Sequence, residues 1–255
     1  MFKLLDWIDE SNLTKQISVN PCAIAYLETH PEKINWRLLS ENPNAIVMLE
    51  KNQERIDWDR LSENPAAIHL LEKNKHRIYW DTLCMNPAGI PLLEKNPEKI
   101  DWRWLSGNPN AIPLLEKNKS EIAWDWLSSN PRAIDLLEKN QDKIIWACLS
   151  ENPSAISLLE KNQDKIMWFY LCKNPNAIHF LESTQHKIAW DWLSSNPSAI
   201  HLLERNQDKI DWNRFSMNPA IFEYDYKKMT RPFTEELMQE RFHPKNLDKF
   251  ESWGF

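Results

Sequence analysis

The chain has 255 residues, of which 42% are hydrophobic and 27% are charged, a composition that excludes an intrinsically disordered protein. Its formal net charge of -6 provides no basic field for nucleic acid or for an anionic membrane surface, so neither is expected as a partner. The four cysteines stand far apart without a C-x-x-C pair, which favours a reducing, intracellular setting.

The first 19 residues lie outside the pattern that fills the rest of the chain, and we interpret them as an N-terminal cap. Asp6 and Asp9 interrupt the first apolar run, which the core of a signal peptide does not tolerate. No apolar stretch approaches the ~20 residues of a membrane span. We therefore expect a soluble protein whose N-terminal segment forms a pair of capping helices.

Residues 20–217 consist of nine consecutive units of 22 residues. The dipeptide Asn-Pro recurs at this interval from Asn20-Pro21 to Asn218-Pro219, and a tryptophan recurs from Trp36 to Trp212. The unit reads N-P-x-A-I-x-L-L-E-K-N-x-x-K-I-x-W-x-x-L-S-x. Self-similarity at a fixed period in this range is typical of a solenoid.

Each unit predicts two short helices. In the unit that starts at Asn130, the apolar residues from Ala133 to Leu137 share one helical face, and a second apolar group follows from Ile144 to Leu149. Asn-Pro suits the start of the first helix, and Asn140 is expected to end it in a left-handed conformation. Leucine-rich repeats are similar in length, but they require an alternating pattern that this unit lacks.

Two prolines indicate more closely where the first helix of a unit starts. Pro91 and Pro113 lie four residues after the proline of their Asn-Pro pair. An established helix would need the N–H groups that these prolines lack. The helical hydrogen bonds are therefore expected to start a residue or two later than Asn-Pro alone suggests.

A single unit cannot fold alone. It buries roughly six large apolar side chains, about 12 kcal/mol, whereas ordering 22 residues costs on the order of 20 to 40 kcal/mol. The units must therefore stack on one another. We predict an all-α fold, an elongated α-solenoid of nine two-helix repeats with helical caps at residues 1–19 and 218–255. The C-terminal cap would contain two helices, 232–242 and 244–253.

The repeat and the tail from Glu235 to Phe255, E-E-L-M-Q-E-R-F-H-P-K-N-L-D-K-F-E-S-W-G-F, together resemble the short-repeat proteins encoded in many copies by giant DNA viruses of amoebae and algae. The resemblance spans nearly the whole chain. It implies a helical repeat protein made in the cytoplasm of an infected cell or packaged in the virus particle. The departures are local, such as Cys84 and Cys172 in place of serine and Gly89 in place of alanine. The family contributes no catalytic residues.

Residues that recur in every unit are interpreted as structural. The tryptophans are expected in the core, the Glu-Lys pairs at a solvated surface, and the asparagines in bonds to the backbone. Histidines that share a position in the unit lie about one layer apart, too far for shared metal coordination. The cysteines lack a paired histidine and acid, and no nucleotide-binding or zinc-protease motif occurs. We predict no enzyme activity, no metal and no cofactor.

Function should depend on positions where the units differ. Aromatic and apolar residues collect two residues after the repeated tryptophan, and near that position, in the units from the fourth to the eighth. They are Trp104, Trp126, Ile145, Met167, Phe169, Tyr170 and Trp192, which we call the variable stripe. Aromatic surface is typical of binding hot spots. The alternative interpretation is additional core, because the position neighbours a buried leucine.

The sequence thus favours a non-catalytic scaffold that binds a host or viral protein, with self-association as a further possibility. The alternative is a structural component of a virus particle, held by self-association or by the capsid.

Overall fold

The structure is a computed structural model that describes residues 2–225, and the predicted all-α repeat architecture is confirmed there. Each complete unit contains a first and a second α-helix, which carry odd and even numbers. The α-helices are α1 (Ile24–Thr29), α2 (Trp36–Glu41), α3 (Ile46–Glu50), α4 (Trp58–Glu63), α5 (Ile68–Lys73), α6 (Trp80–Met85), α7 (Ile90–Glu94), α8 (Trp102–Ser106), α9 (Ile112–Lys117), α10 (Trp124–Ser129), α11 (Ile134–Glu138), α12 (Trp146–Glu151), α13 (Ile156–Glu160), α14 (Trp168–Leu171), α15 (Ile178–Ser183), α16 (Trp190–Leu193), α17 (Ile200–Glu204) and α18 (Trp212–Met217).

Short 3-10 helices precede most of the α-helices. They are Glu10–Asn12, Lys15–Val19, Pro21–Ala23, Pro31–Lys33, Pro43–Ala45, Gln53–Arg55, Pro65–Ala67, Lys75–Arg77, Pro97–Lys99, Pro109–Ala111, Lys119–Glu121, Gln141–Lys143, Gln163–Lys165, Gln185–Lys187, Pro197–Ala199, Gln207–Lys209 and Pro219–Ile221. The two strands are β1 (Phe2–Leu4) and β2 (Phe222–Tyr224).

The first helix begins after the Asn-Pro turn, as the prolines predict. The side chain of Asn108 accepts a hydrogen bond from the backbone N–H of Asn110 at 2.9 Å, and the α-helix starts only at Ile112. Pro113 therefore falls in the first turn of α9, and Pro91 in that of α7. An N–H is not needed there.

The end of the first helix differs from the expectation. Asn140 has φ -137° and ψ 50°, so the predicted left-handed conformation is wrong. Its side-chain amide donates to the carbonyl of Leu136 at 2.8 Å, and its backbone N–H donates to the carbonyl of Leu137 at 3.0 Å. Because these two bonds satisfy the last carbonyls of the helix, it can end without a residue of positive φ.

Buried polar ladders connect consecutive units. The side-chain amide of Asn130 donates to the carbonyl of Asn108 at the start of the preceding unit, at 2.9 Å, and to that of Ser106 near the end of the unit before it, at 3.0 Å. The hydroxyl of Ser106 accepts from the N–H of Ala123 at 3.0 Å and donates to the carbonyl of Trp102 at 2.8 Å. These asparagines and serines are fully buried. The prediction that asparagine bonds the backbone is confirmed for the Asn-Pro position.

The core lies between the row of first helices and the row of second helices. Each unit contributes the leucine that ends its L-L or equivalent pair, the leucine of its second helix (Phe215 in the ninth unit) and, except where Gly89 replaces it, one alanine, all fully buried. Leu93, Leu105 and Ala111 are examples. The repeated tryptophans pack against this core but remain half-buried, so they border it rather than fill it.

The two ends of the repeat array meet. The amide of Asn20 donates to the carbonyls of Ser216 and Asn218, at 3.3 and 2.8 Å, in the pattern that Asn130 uses toward its own preceding unit. Strand β1 pairs antiparallel with β2, and Lys3 lies opposite Glu223. The expectation of an elongated stack with caps at opposite ends is therefore wrong, because the stack closes into a ring.

The chain termini build the tenth unit of this ring together. Residues 218–224 supply its first part, and residues 2–19 supply the remainder, which packs against α18. Trp7 contacts Phe215, with ring centroids 5.6 Å apart, and Ile17 is fully buried. In place of the expected capping helix pair, residues 2–19 form β1 and two 3-10 helices. The predicted helices 232–242 and 244–253 lie outside the described residues.

The two helix rows have different radii. Neighbouring second helices are in close backbone contact in most units, for example α2 with α4 and α10 with α12, whereas neighbouring first helices make only sparse contact. In a closed ring, the row with the closer spacing lies nearer the axis. The second helices therefore form the inner row, about 25–30 Å across at the helix axes for a spacing of 8–10 Å.

Within residues 2–225, none of the helices combines the length and the apolar character that crossing a membrane requires.

Candidate interaction surface

Most of the variable stripe lies on the side of the inner helices that faces away from the core, whereas Ile145 and Met167 lie at the N-terminal caps of α12 and α14. In α8, Leu105 and Ser106 are fully buried. At 100° per residue, Arg103, Trp104 and Gly107 lie on the opposite side of the helix. The equivalent positions of every unit therefore face the interior of the ring. This is the concave surface that repeat proteins use for binding.

The first two tryptophans of the stripe pack on each other. The rings of Trp104 and Trp126 have centroids 5.1 Å apart and are inclined by 36°, and both residues are half-buried. Gly107 makes room for this pair, because a Cβ at that position would lie 3.1 Å from Trp126. Much of the apolar surface of Trp104 and Trp126 is thus buried within the protein.

Trp192 is covered by two cations. The guanidinium of Arg214 lies 3.8 Å, and the ammonium of Lys173 4.3 Å, from the Trp192 ring centroid. Lys173 is held in place by Glu151 at 2.8 Å. Phe169 meets Trp192 edge-on, with centroids 5.1 Å apart. These contacts leave little of Trp192 free to bind a partner.

Three residues of the stripe remain exposed. Ile145, Met167 and Phe169 are 43%, 47% and 46% exposed, on the adjoining helices α12 and α14 or at their N-terminal caps. We call them the apolar patch. Half-buried Tyr170 joins them through its ring contact with Phe169 at 5.6 Å.

The structure therefore divides the variable stripe into two groups. Trp104 and Trp126 form one group, and Met167, Phe169, Tyr170 and Trp192 form the other, with Ile145 in the adjoining unit. Cys148 occupies the intervening position in α12. Part of the stripe is packed within the protein, as the core interpretation expects, and part of it is exposed, as the binding-surface interpretation expects.

A ladder of cations, which the sequence-based predictions do not include, lies over the repeated tryptophans. A lysine or arginine 19 residues later, in the following unit, covers the indole. Lys143 over Trp124, at 4.7 Å, is an example. The covered tryptophans are Trp36, Trp58, Trp124, Trp146, Trp168 and Trp190. The basic residue of the K-I-x-W segment was the feature of the sequence that could have predicted this ladder.

A groove beside α6 and α8 is a second feature that the predictions do not include. Its volume is about 780 Å³, and its lining includes Asp59, Tyr79, Trp80, Asp81 and Trp104. Tyr79 is 55% exposed. Because Trp104 also belongs to the stripe, the groove continues the same face of the ring.

Burial acts on the cysteine thiols among residues 2–225. Burial raises the pKa of the Cys84 thiol to about 11 and also raises the pKa of Cys172. These two cysteines replace the ladder serine and accept the N–H of Asp101 and of Ala189, at 3.4 and 3.3 Å. Burial raises the pKa of Cys148 as well.

The histidines of the first helices bridge adjacent units. His69 lies 3.0 Å from Glu50 and His201 lies 2.8 Å from Glu182. In the described part of the chain, no three His, Cys, Asp or Glu side chains are grouped so that they could hold a metal ion.

Comparisons of the chain with family models, curated proteins and solved structures found no match.

Proposed function

We propose that the protein is a non-catalytic scaffold that binds a partner protein on the inner face of its ring, through the apolar patch of Ile145, Met167 and Phe169. The single observation that carries the proposal is the exposure of these three apolar side chains in two neighbouring units, in a molecule that packs or covers the rest of its aromatic stripe. Exposed apolar surface of this kind is typical of interaction sites.

The composition of the patch suits a protein partner. Phenylalanine provides a rigid contact surface, and methionine adapts its flexible side chain to the shape of a partner. Aromatic residues and methionine are enriched in interfaces relative to the remaining surface. Lys173 and Glu151 lie beside the patch and would contribute to a polar rim.

Ring closure supports the same function. Each unit is held on both sides by the asparagine ladder, including the units beside the chain termini. A surface that is ordered before binding loses less conformational entropy on binding. The closed ring therefore presents the patch in a preorganised form.

The partner would be a host or viral protein in an infected cell, a setting that rests on the sequence resemblance alone. The test compares wild-type protein with the triple variant Ile145→Gln, Met167→Gln, Phe169→Gln. Val47→Gln is the matched control, because Val47 is a 65% exposed apolar residue on the outer helix α3. Circular dichroism verifies that the variants fold.

Immobilised protein would be incubated with a lysate of infected cells, and the bound proteins quantified by mass spectrometry. We expect one partner that is retained by wild-type and Val47→Gln protein and lost from the triple variant. Identical sets of proteins on all three would refute the proposal. If light scattering instead shows a mass that rises with concentration only when the patch is intact, the partner is a second copy of the chain.

A further inference from the structure

The groove beside α6 and α8 has apolar walls and an acidic rim. Ile78, Tyr79, Trp80 and Trp104 supply apolar surface, and the lining also includes the acids Asp59, Asp81, Glu98 and Asp101, with Lys99 as its basic residue. A second groove of about 540 Å³ adjoins it and shares Asp59, Ile78 and Tyr79. Carboxylates therefore outnumber basic groups along this part of the ring.

Three of these carboxylates have no ion pair within residues 2–225: Asp59, Asp81 and Glu98. Two acids of neighbouring units are paired. Asp125, which occupies the position of Asp81 two units later, lies 3.2 Å from Arg103, and Asp57 lies 3.5 Å from Arg37. Asp191, at the same position, is exposed and has no ion pair within residues 2–225. The groove differs from that position because it gathers four carboxylates and one lysine around one concave site.

An independent feature of the groove is a tryptophan without its cation. Six repeated tryptophans each carry a lysine or arginine from the next unit, such as Arg77 over Trp58 at 5.0 Å. Lys99 occupies the corresponding position for Trp80 and lines the groove, but no cation of the described chain lies over the Trp80 ring. A positive charge is attracted to an indole face, so Trp80 offers a vacant site for one.

We infer that this groove binds a basic segment of the partner protein, with a lysine or arginine side chain over Trp80 and its charge balanced by Asp59 and Asp81. An external cation there repeats the contact that the chain makes internally at six other tryptophans. Charged groups arranged in this way determine which partner binds and speed its association.

This inference deepens the proposed function and rests on it, since it assigns a chemistry to the partner. The groove and the apolar patch lie on the same face of the ring, with the Trp104–Trp126 pair between them. A partner that contacts both the groove and the apolar patch would carry a basic segment and an apolar segment, separated by the distance that a few repeat units span on the ring.

The test measures fluorescence anisotropy of a labelled octalysine peptide. We expect saturable binding to wild-type protein and about tenfold weaker binding to the double variant Asp59→Asn, Asp81→Asn. The double variant Asp142→Asn, Asp164→Asn is the matched control. It removes the same charge from exposed positions outside the groove and is expected to retain wild-type affinity within about twofold.

A second pair of variants tests the vacant indole. Trp80→Leu is expected to weaken octalysine binding severalfold, whereas Trp102→Leu removes an equally half-buried tryptophan outside the groove and leaves the affinity unchanged. Absence of saturable binding to wild-type protein, or equal weakening by the two members of either pair, would overturn the inference. Because the apolar patch is intact in all four variants, that result would leave the patch proposal standing.

Discussion

The side-chain amide of Asn20 donates a hydrogen bond to the backbone carbonyl of Asn218 at 2.8 Å, which is the bond that Asn130 makes to Asn108 at 2.9 Å. The start of the repeat array therefore continues from its end as one unit continues from another. Within the described chain, the ladder of asparagine hydrogen bonds ends at neither the first nor the ninth unit.

Substitution of the ladder asparagines distinguishes a ring from an open stack. In a ring, Asn20→Ala and Asn130→Ala each remove two hydrogen bonds to buried carbonyls and one from a backbone N–H, and we expect each to lower the free energy of unfolding by about 2–3 kcal/mol. Urea unfolding measures both. A near-zero effect of Asn20→Ala beside a full effect of Asn130→Ala would show that the ends are open.

A cysteine pair across the strands should lock the ring. Lys3 and Glu223 lie directly opposite each other in the β1–β2 pair, so the double variant Lys3→Cys, Glu223→Cys is expected to form a disulfide on oxidation. Closing a loop of this length lowers the entropy of the unfolded chain, which stabilises the folded state by about 5 kcal/mol in the chain-entropy account. We expect a higher melting temperature that returns to its starting value with reductant. Peptide mapping that finds no 3–223 linkage would contradict the paired ends.

The four native cysteines should fall into two reactivity classes. Cys84 and Cys172 are fully buried and Cys22 and Cys148 are partly exposed. With Ellman's reagent at pH 8, we expect two fast thiols and two that react only on unfolding. Four equally fast thiols would show that the ladder is not closed around Cys84 and Cys172.

The raised pKa of Cys84 also predicts a pH dependence of stability. The folded state holds the thiol proton more tightly, with a pKa of about 11 against an ordinary value of 9.0. The associated stability is complete below about pH 9 and is lost as the pH rises toward 11. Cys84→Ser should reduce this loss, which urea unfolding between pH 8 and pH 11 would measure, and the remaining part belongs to the other thiols of raised pKa, Cys148 and Cys172.

The cations over the tryptophans should contribute modestly to stability. Lys143 lies over Trp124, and Lys143→Met is expected to reduce the free energy of unfolding by about 0.5–1 kcal/mol. Lys139→Met is the matched control, because Lys139 is exposed in the same unit and covers no indole. Equal effects of the two substitutions would assign the loss to net charge instead.

The helices and their contacts with neighbouring units were predictable because they depend on residues close in sequence. Asn-Pro turns, the apolar pair of the first helix and the Trp segment recur in every unit, so an interpretation that is correct for one unit applies to all nine. The end of the first helix was predicted wrongly, because a side chain such as that of Asn140 can satisfy a carbonyl in more than one backbone conformation. The apolar patch was only partly predictable. A sequence identifies Trp192 as aromatic but does not show that Arg214 and Lys173 cover it.

The sequence by itself determined the period, the helical class, the ladder asparagines and the position in the unit where variation collects, since these follow from local patterns repeated nine times. Only the tertiary structure decided that the stack is a ring, that Phe2 to Leu4 pairs with Phe222 to Tyr224, and which aromatic residues stay exposed. Closure needs a rotation of about 36° between neighbours in a ten-unit ring, and such small rotations arise from the packing of one unit on the next. They accumulate over the whole array and leave no signature in any single repeat.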